Sequence, residues 1–197
     1  NTFHTFVPLQ FIHNPLHINN DGKNFVNSEF YAGVARSDWS WNINFADFDN
    51  DGLKDIFVTN GIKREYSSLD FVTLQESLGE RMGFRHNAHT LLKQMPIKRL
   101  RNALYLQQAD FKFSDASIQA GMPQKLISNG AIYADLDADG DLEIVINNTD
   151  TVASVYKNLS TENGKNNFIH FTPKGDGLNT FGIGVRVKIF FDEGKTQ

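Results

Sequence analysis

The sequence predicts an all-β chain of β-propeller-like blades with a short α-helical insert. Three observations predict it: an acidic motif occurs twice, each copy lies between two short β-rich segments, and the repeat has the length of a propeller blade. The chain has 197 residues, 40% of them hydrophobic and 21% charged, which is enough to bury a core. Cysteine is absent, so disulfides, thiolate metal sites and cysteine nucleophiles are excluded.

The repeat is visible without gaps. Residues 46–56 match residues 134–144 at a shift of 88 residues, and identical pairs outside the motif follow the same shift. These pairs are Ala32 and Ala120, Gly33 and Gly121, Ser40 and Ser128, and Asn60 and Asn148. A partial third copy starts only 50 residues after the second, because residues 156–158 resemble residues 106–108. The basic period is therefore about 50 residues, and an insert separates the first two copies.

This spacing predicts four regions. Residues 1–60 form a first repeat unit, residues 61–101 an insert, and residues 102–150 a second unit, while residues 151–197 hold a partial third unit and the start of another region. Closed propellers need about four to eight blades. We therefore expect the chain to be part of a longer one.

Each unit reads as short strands. Residues 43–46 and 131–134 precede the acidic motifs, and residues 53–59 and 142–147 follow them, so each motif joins two strands. Further strands are predicted from composition and alternation at residues 103–107, 152–157 and 185–191.

The insert has a different pattern. Its apolar residues recur at spacings near 3 and 4, which predicts two amphipathic helices, broken near residues 79–83 and ended by Pro96. These residues are Leu69, Val72, Leu74, Leu78, Met82, Leu91, Leu92 and Met95. Eight basic and four acidic residues give the insert a charge of +4, against −8 for the rest of the chain.

The two acidic motifs, loop 1 (residues 47–55) and loop 2 (residues 135–143), carry the chemistry. Each has the pattern D-x-D-x-D-G-x-x-[DE], and alternate carboxylates in a tight turn supply the six to eight oxygens that Ca²⁺ takes. The predicted ligands of loop 1 are the carboxylates of Asp47, Asp49, Asp51 and Asp55 and the backbone carbonyl of Leu53. Those of loop 2 are the carboxylates of Asp135, Asp137, Asp139 and Glu143 and the backbone carbonyl of Asp141. The prediction is two Ca²⁺ sites.

Two alternatives bear on these loops. An EF-hand needs a bidentate Glu at position twelve, where loop 1 has Val58 and loop 2 has Ile146, so this type of site is excluded. Asp, Asn and Gly also favour turns without any metal, but four carboxylates within nine residues repel one another unless a cation is bound. We expect the calcium to hold the loops together and not to act in catalysis.

A family resemblance rests on these loops and on three further stretches. The loops resemble FG-GAP or VCBS repeats, the calcium-binding blades of integrin-α-type propellers, and residues 37–41, 57–64 and 128–131 resemble such repeats in large surface proteins of Bacteroidetes-type bacteria. Residues 167–169, 174–175 and 182–187 resemble the opening of an ASPIC/UnbV domain, which follows the repeats in those proteins.

The resemblance implies a non-catalytic binding or adhesion module, exported to the periplasm, the outer-membrane surface or the extracellular space. A protein or a glycan is the expected partner. Trp39 and Trp41 alternate on a predicted strand, so they could point the same way and stack on a sugar, while packing in the core is the favoured alternative for both. A polysaccharide-acting enzyme and an architectural spacer remain alternatives. The net charge of −4 gives no footprint for nucleic acid, and no apolar run is long enough to span a membrane.

Overall fold

A computed structural model describes residues 13–82, 92–164, 166, 168–191 and 195–196. Strands dominate these residues and helices are few, so the chain is of the all-β class. The chain divides into two compact units, Asn1–Asn167 and Phe168–Gln197. In the described part of the chain, no helix has the length and apolar character that crossing a membrane requires.

The elements are short and follow one another closely. The helices are α1 (Glu29–Ala32) and α2 (Leu69–Met82). The strands are β1 (His17–Asn19), β2 (Phe25–Asn27), β3 (Ser40–Ala46), β4 (Asp55–Asn60), β5 (Leu100–Arg101), β6 (Ala103–Gln107), β7 (Phe113–Asp115), β8 (Lys125–Leu126), β9 (Ser128–Ala134), β10 (Glu143–Asn148), β11 (Ser154–Tyr156), β12 (Phe190–Phe191) and β13 (Lys195–Thr196).

Two antiparallel sheets make up most of the first unit. The first sheet has four strands in the order β3-β4-β6-β7, and the second has three in the order β9-β10-β11. A shift of 88 residues carries the bounds of β2, β3 and β4 onto those of β7, β9 and β10. The sequence repeat is therefore also a repeat of strand positions.

The core lies between these two sheets. Phe57 and Leu104 from the first sheet pack with Ile144 and Ile146 from the second, and Phe57 and Ile146 are fully buried. Met122, from the segment before β8, belongs to the same cluster, as do Ala46 and Phe48. Burial of such side chains stabilises the fold by about 1.5–3 kcal/mol each, so this layer is the main hydrophobic contribution at the sheet-to-sheet contact.

A buried polar network crosses the same contact. Asn102 accepts the backbone N–H of Asn60 at 2.9 Å and donates its side-chain amide to Ser128 Oγ at 3.0 Å. Ser128 Oγ in turn donates to Asn148 Oδ1 at 2.8 Å. All four residues are buried, so each of these hydrogen bonds satisfies a group that water cannot reach. The network therefore fixes the position of one sheet relative to the other.

The two ends of the insert are hydrogen-bonded to each other next to the first sheet. Ile62 and Lys98 exchange both backbone hydrogen bonds at 2.9 Å, and the Lys63 ammonium pairs with Asp150 at 2.8 Å. The insert begins at Gly61. A glycine is needed at this position, because an added Cβ would lie only 2.5 Å from the Leu126 carbonyl oxygen.

The structure corrects the predicted helices of the insert. The helix runs through Gly79 to Met82. Among its residues 69–77, whose side chains the structure describes, Phe71 is buried, whereas Leu69 is 78% exposed. Residues 92–94 are helical before Pro96, and the start of the predicted second helix lies outside the described residues.

The prediction of a strand over residues 185–191 is wrong for residues 185–189. These have no regular structure, and only β12 at Phe190–Phe191 is a strand, paired with β13. The alternation of apolar side chains here does not mark a buried face, since Val185 and Val187 are 56% and 46% exposed. Without a face to bury, alternation alone does not form a strand.

Candidate metal sites

The two acidic loops have left-handed residues at the same motif positions and lie next to each other. Loop 1 follows β3 and leads into β4, and loop 2 follows β9 and leads into β10. Both turn through left-handed conformations at equivalent positions, with φ values of 57° at Asn50 and 62° at Ala138, then 88° at Gly52 and 91° at Gly140. The Asn50 side chain donates to the Gly140 carbonyl at 3.1 Å, so the loops are in direct contact.

In loop 1, three of the predicted ligands come together. Carboxylate oxygens of Asp47, Asp49 and Asp55 lie within 4.8 Å of one another. Asp51 is not in that group, and its Oδ1 accepts the backbone N–H of Leu53, the predicted carbonyl ligand, at 2.7 Å. Asp47 accepts the N–H of Asp51 at 3.1 Å and that of Gly52 at 2.9 Å, which holds the turn closed.

Asp55 is the fully buried member of this group. Its Oδ2 accepts the N–H of Phe48 and its Oδ1 the N–H of Gln107, both at 2.8 Å. Burial raises the pKa of Asp55 to about 6, although these two hydrogen bonds act in the opposite direction. Burial also raises the pKa of Asp49, and the nearby charge of Asp51 adds to this effect. A bound cation would stabilise both carboxylates in their ionised form.

Loop 2 repeats this arrangement. Oxygens of Asp135, Asp137 and Glu143 lie within 4.8 Å of one another. The Glu143 side chain is buried, and its Oε2 accepts the N–H of Leu136 at 2.8 Å while its Oε1 accepts that of Asn158 at 3.3 Å. Glu143 thus occupies the place of Asp55 in loop 1.

A second acidic group in loop 2 includes a side chain to which the sequence assigned only a backbone role. Oxygens of Asp139, Asp141 and Glu143 lie within 4.8 Å of one another. Asp141 is fully buried, and its Oδ2 accepts the N–H of Thr161 at 2.9 Å. The prediction for Asp141 named its carbonyl, whereas the structure places its carboxylate in the group.

Lys157 supplies a positive charge beside loop 2. Its Nζ lies 2.8 Å from Asp137, 3.0 Å from Glu162 and 3.7 Å from Asp139. The hydrogen bond from Lys157 lowers the pKa of Asp137, and the hydrogen bond to Asp137 raises the pKa of Lys157. Lys157 therefore neutralises part of the acidic charge on the exposed side of the loop.

The segment after β11 contacts both loops, and sequence reasoning did not assign it to the site. Asn158 donates its side-chain amide to the Phe48 carbonyl at 2.7 Å and to the Leu142 carbonyl at 3.3 Å. Asn166 donates to the Asp49 carbonyl at 2.7 Å. The only sequence signal was the repeat itself, which placed residues 156–158 at the end of a third strand.

The two candidate sugar-stacking residues do not lie side by side on a strand. Trp39 precedes β3 and makes an edge contact with Tyr66 of the insert, with ring centroids 5.6 Å apart. Trp41 is 51% exposed and donates its indole N–H to the Gly61 carbonyl.

The chemistry of the acidic groups is that of a hard-cation site. Their members are carboxylates only, and three of them, Asp55, Asp141 and Glu143, are buried beside more accessible partners, so these groups can hold a metal ion. An all-oxygen donor set suits Ca²⁺, Mg²⁺ or Mn²⁺ better than Zn²⁺ or Cu²⁺.

No protein-family model, curated protein or solved structure matches the chain.

Proposed function

We propose that the chain is a calcium-binding FG-GAP/VCBS repeat segment of a β-propeller. Its role is that of a non-catalytic binding or adhesion module in an extracellular or cell-surface protein, with calcium as a structural ion. The observation that carries the proposal is the occurrence of one three-carboxylate group at the same place in two repeats: Asp47, Asp49 and Asp55 in loop 1 and Asp135, Asp137 and Glu143 in loop 2.

Calcium is the cation that these loops fit best. Ca²⁺ takes six to eight oxygens in flexible geometry, and each loop offers its carboxylates within a turn of nine residues, with backbone carbonyls and water to complete the shell. Mg²⁺ demands a near-ideal octahedron and retains its waters, which a dense carboxylate loop does not favour. Extracellular calcium is also high enough to occupy sites of modest affinity, which agrees with an exported protein.

The packing of the sheets supports the propeller arrangement. The second sheet presents Ile144 and Ile146 to the first sheet, with Met122 in the same cluster. The equivalent face of the first sheet, with Ile56 and Val58, packs in the same way on Val34. Each sheet thus uses its equivalent face toward what precedes it, and such head-to-tail contacts generate rings when the rotation closes.

Exposed apolar side chains on the outward faces of the two sheets are evidence for the proposed neighbouring blades. On the first sheet Ile43 and Phe45 are 47% and 50% exposed, and on the second sheet Ile132 and Val155 are 65% and 64% exposed. Large apolar side chains grouped on a sheet face mark a surface that another layer covers. We propose neighbouring sheets of the same repeat as that layer.

Calcium titration of loop variants by calorimetry tests the proposal. The paired variants Asp47→Asn/Asp49→Asn and Asp135→Asn/Asp137→Asn each remove two ligands of one loop, so each is expected to bind one calcium ion fewer than the unmodified chain. Asp110→Asn, an exposed acid outside both loops with φ 59°, is the control and should bind as the unmodified chain does. If the unmodified chain binds no calcium at millimolar concentration, the proposal fails.

A further inference from the structure

Loop 2 holds an acidic group that loop 1 lacks. Both loops have the group made by positions one, three and nine of the motif, but only in loop 2 do positions five, seven and nine also form one, through Asp139, Asp141 and Glu143. The reason is one residue: position seven is Asp141 in loop 2 and Leu53 in loop 1. The two repeats therefore differ in the number of carboxylates available to a cation.

The Asp141 carboxylate is held in an unusual state for a buried acid. The residue is 0% exposed, and the N–H of Thr161 satisfies Oδ2 at 2.9 Å. Its Oδ1 is buried and has no hydrogen-bond partner among the described residues. An unpaired buried carboxylate oxygen costs several kcal/mol in solvation, and native proteins rarely leave one without a partner or an ion.

We propose that Asp139, Asp141 and Glu143 form a second cation position in loop 2, so that the chain binds three divalent cations and not two. The proposal rests on the proposed function, since it assumes that the position shared by both loops is occupied. Glu143 belongs to both groups of loop 2, so its carboxylate would be available to a cation at either position. The ligand chemistry is that of a hard divalent cation, with Ca²⁺ as the first choice.

Charge balance permits two cations in loop 2. Its five carboxylates carry −5 and the adjacent Lys157 adds +1, so two divalent ions bring the net charge to zero, whereas one ion leaves −2. Asp141 and Glu143 are buried and Asp139 is 26% exposed, so the second position has one opening toward water through which a cation can enter.

The second cation also has a structural consequence. Asp141 is hydrogen-bonded to Thr161, and Thr161 Oγ1 is itself buried with no partner among the described residues. A cation on Asp141 therefore fixes the segment that follows β11 as well as the loop. Loop 1 has no such link at position seven, because Leu53 cannot ligate through its side chain.

The test is the number of calcium ions bound by the full chain, measured by calorimetry and by equilibrium dialysis. To isolate loop 2, the ions are counted in the Asp47→Asn/Asp49→Asn background. We expect two ions in this background and one after Asp141→Asn, an isosteric change that can still accept the Thr161 N–H. Asp139→Asn, at a partly exposed position, should cause the same loss if Asp141→Asn does not fold. Asp110→Asn, at an exposed acid outside both loops, is the control and should leave the number in the unmodified chain at three.

The outcomes separate the two proposals. Three ions in the unmodified chain and two after Asp141→Asn support the second position. One ion per loop in the unmodified chain, or a number that neither Asp141→Asn nor Asp139→Asn changes, overturns it and leaves the proposed function intact. No bound calcium at either loop overturns both.

Discussion

Asp55 and Glu143 hold the same place in the two repeats: each accepts, at 2.8 Å, the backbone N–H of the residue seven positions before it. Both are buried at the start of the strand that follows an acidic loop, and both belong to a three-carboxylate group. One side chain therefore closes the loop and also presents a charge to it.

The first prediction concerns pH in the metal-free protein. Because burial raises the pKa of Asp55 to about 6, above its ordinary value of 3.8, the folded state binds this proton more tightly than the unfolded state. The free energy of unfolding should fall as pH rises from about 4 to about 6, by on the order of 3 kcal/mol from this group. Urea unfolding in EGTA at several pH values measures it.

The control for this effect is Asp55→Asn, which cannot titrate. Its unfolding free energy should decrease less between pH 4 and pH 6 than that of the unmodified chain. Equal slopes in the two proteins would show that Asp55 is not the titrating group. Added calcium at pH 7 should restore stability to the unmodified chain more than to the variant, because the cation binds the ionised carboxylate.

A second prediction concerns Lys157, which occupies the acidic side of loop 2 at 2.8 Å from Asp137. Lys157→Gln removes a positive charge that competes with a bound cation. Calcium affinity of loop 2 should therefore rise by about 2- to 5-fold, the range expected for exposed ion pairs. Lys54→Gln, at an exposed lysine of loop 1, is the matched control for net charge. The affinity is measured in the Asp47→Asn/Asp49→Asn background, so that only loop 2 binds calcium. An unchanged or weaker affinity after Lys157→Gln would contradict this role.

A third prediction concerns the buried network between the sheets. Asn102→Ala removes the acceptor for the Asn60 N–H and the donor to Ser128, and leaves both groups buried. The free energy of unfolding should fall by about 2 kcal/mol. Asn129→Ala, at an exposed position of β9, should change it by less than about 0.5 kcal/mol. Similar losses in the two variants would mean that the network does not stabilise the contact.

Much of the first unit could be predicted because its strands carry their own signals. The strand at 103–107 has the predicted bounds, and β4 and β10 follow the acidic loops as expected. Strands β3 and β9 begin three residues before the predicted starts. Their first residues, Ser40 and Ser128, are polar, and their hydroxyls donate to the side chains of Asn60 and Asn148, a pairing that alternation of apolar residues does not reveal.

The parts that could not be predicted depend on residues distant in sequence. The carboxylate of Asp141 is turned inward by the N–H of Thr161, twenty residues later, so the loop alone indicated only a backbone role. Lys157 reaches loop 2 across a similar distance. The helix of the insert continues through Gly79 because the cost of one glycine in a helix, about 1 kcal/mol, is small beside the burial of Phe71.

The most direct test of the central claim is the melting temperature of the unmodified chain in EGTA and in millimolar calcium. At a calcium concentration of about 100 Kd, one bound ion stabilises the folded state by about 2.7 kcal/mol, which predicts a rise of roughly 5–10 °C or more. The variant with Asp47, Asp49, Asp135 and Asp137 changed to Asn should lose most of this rise, and magnesium should give a smaller one. A melting temperature that is the same in EGTA and in calcium would contradict calcium binding by these loops.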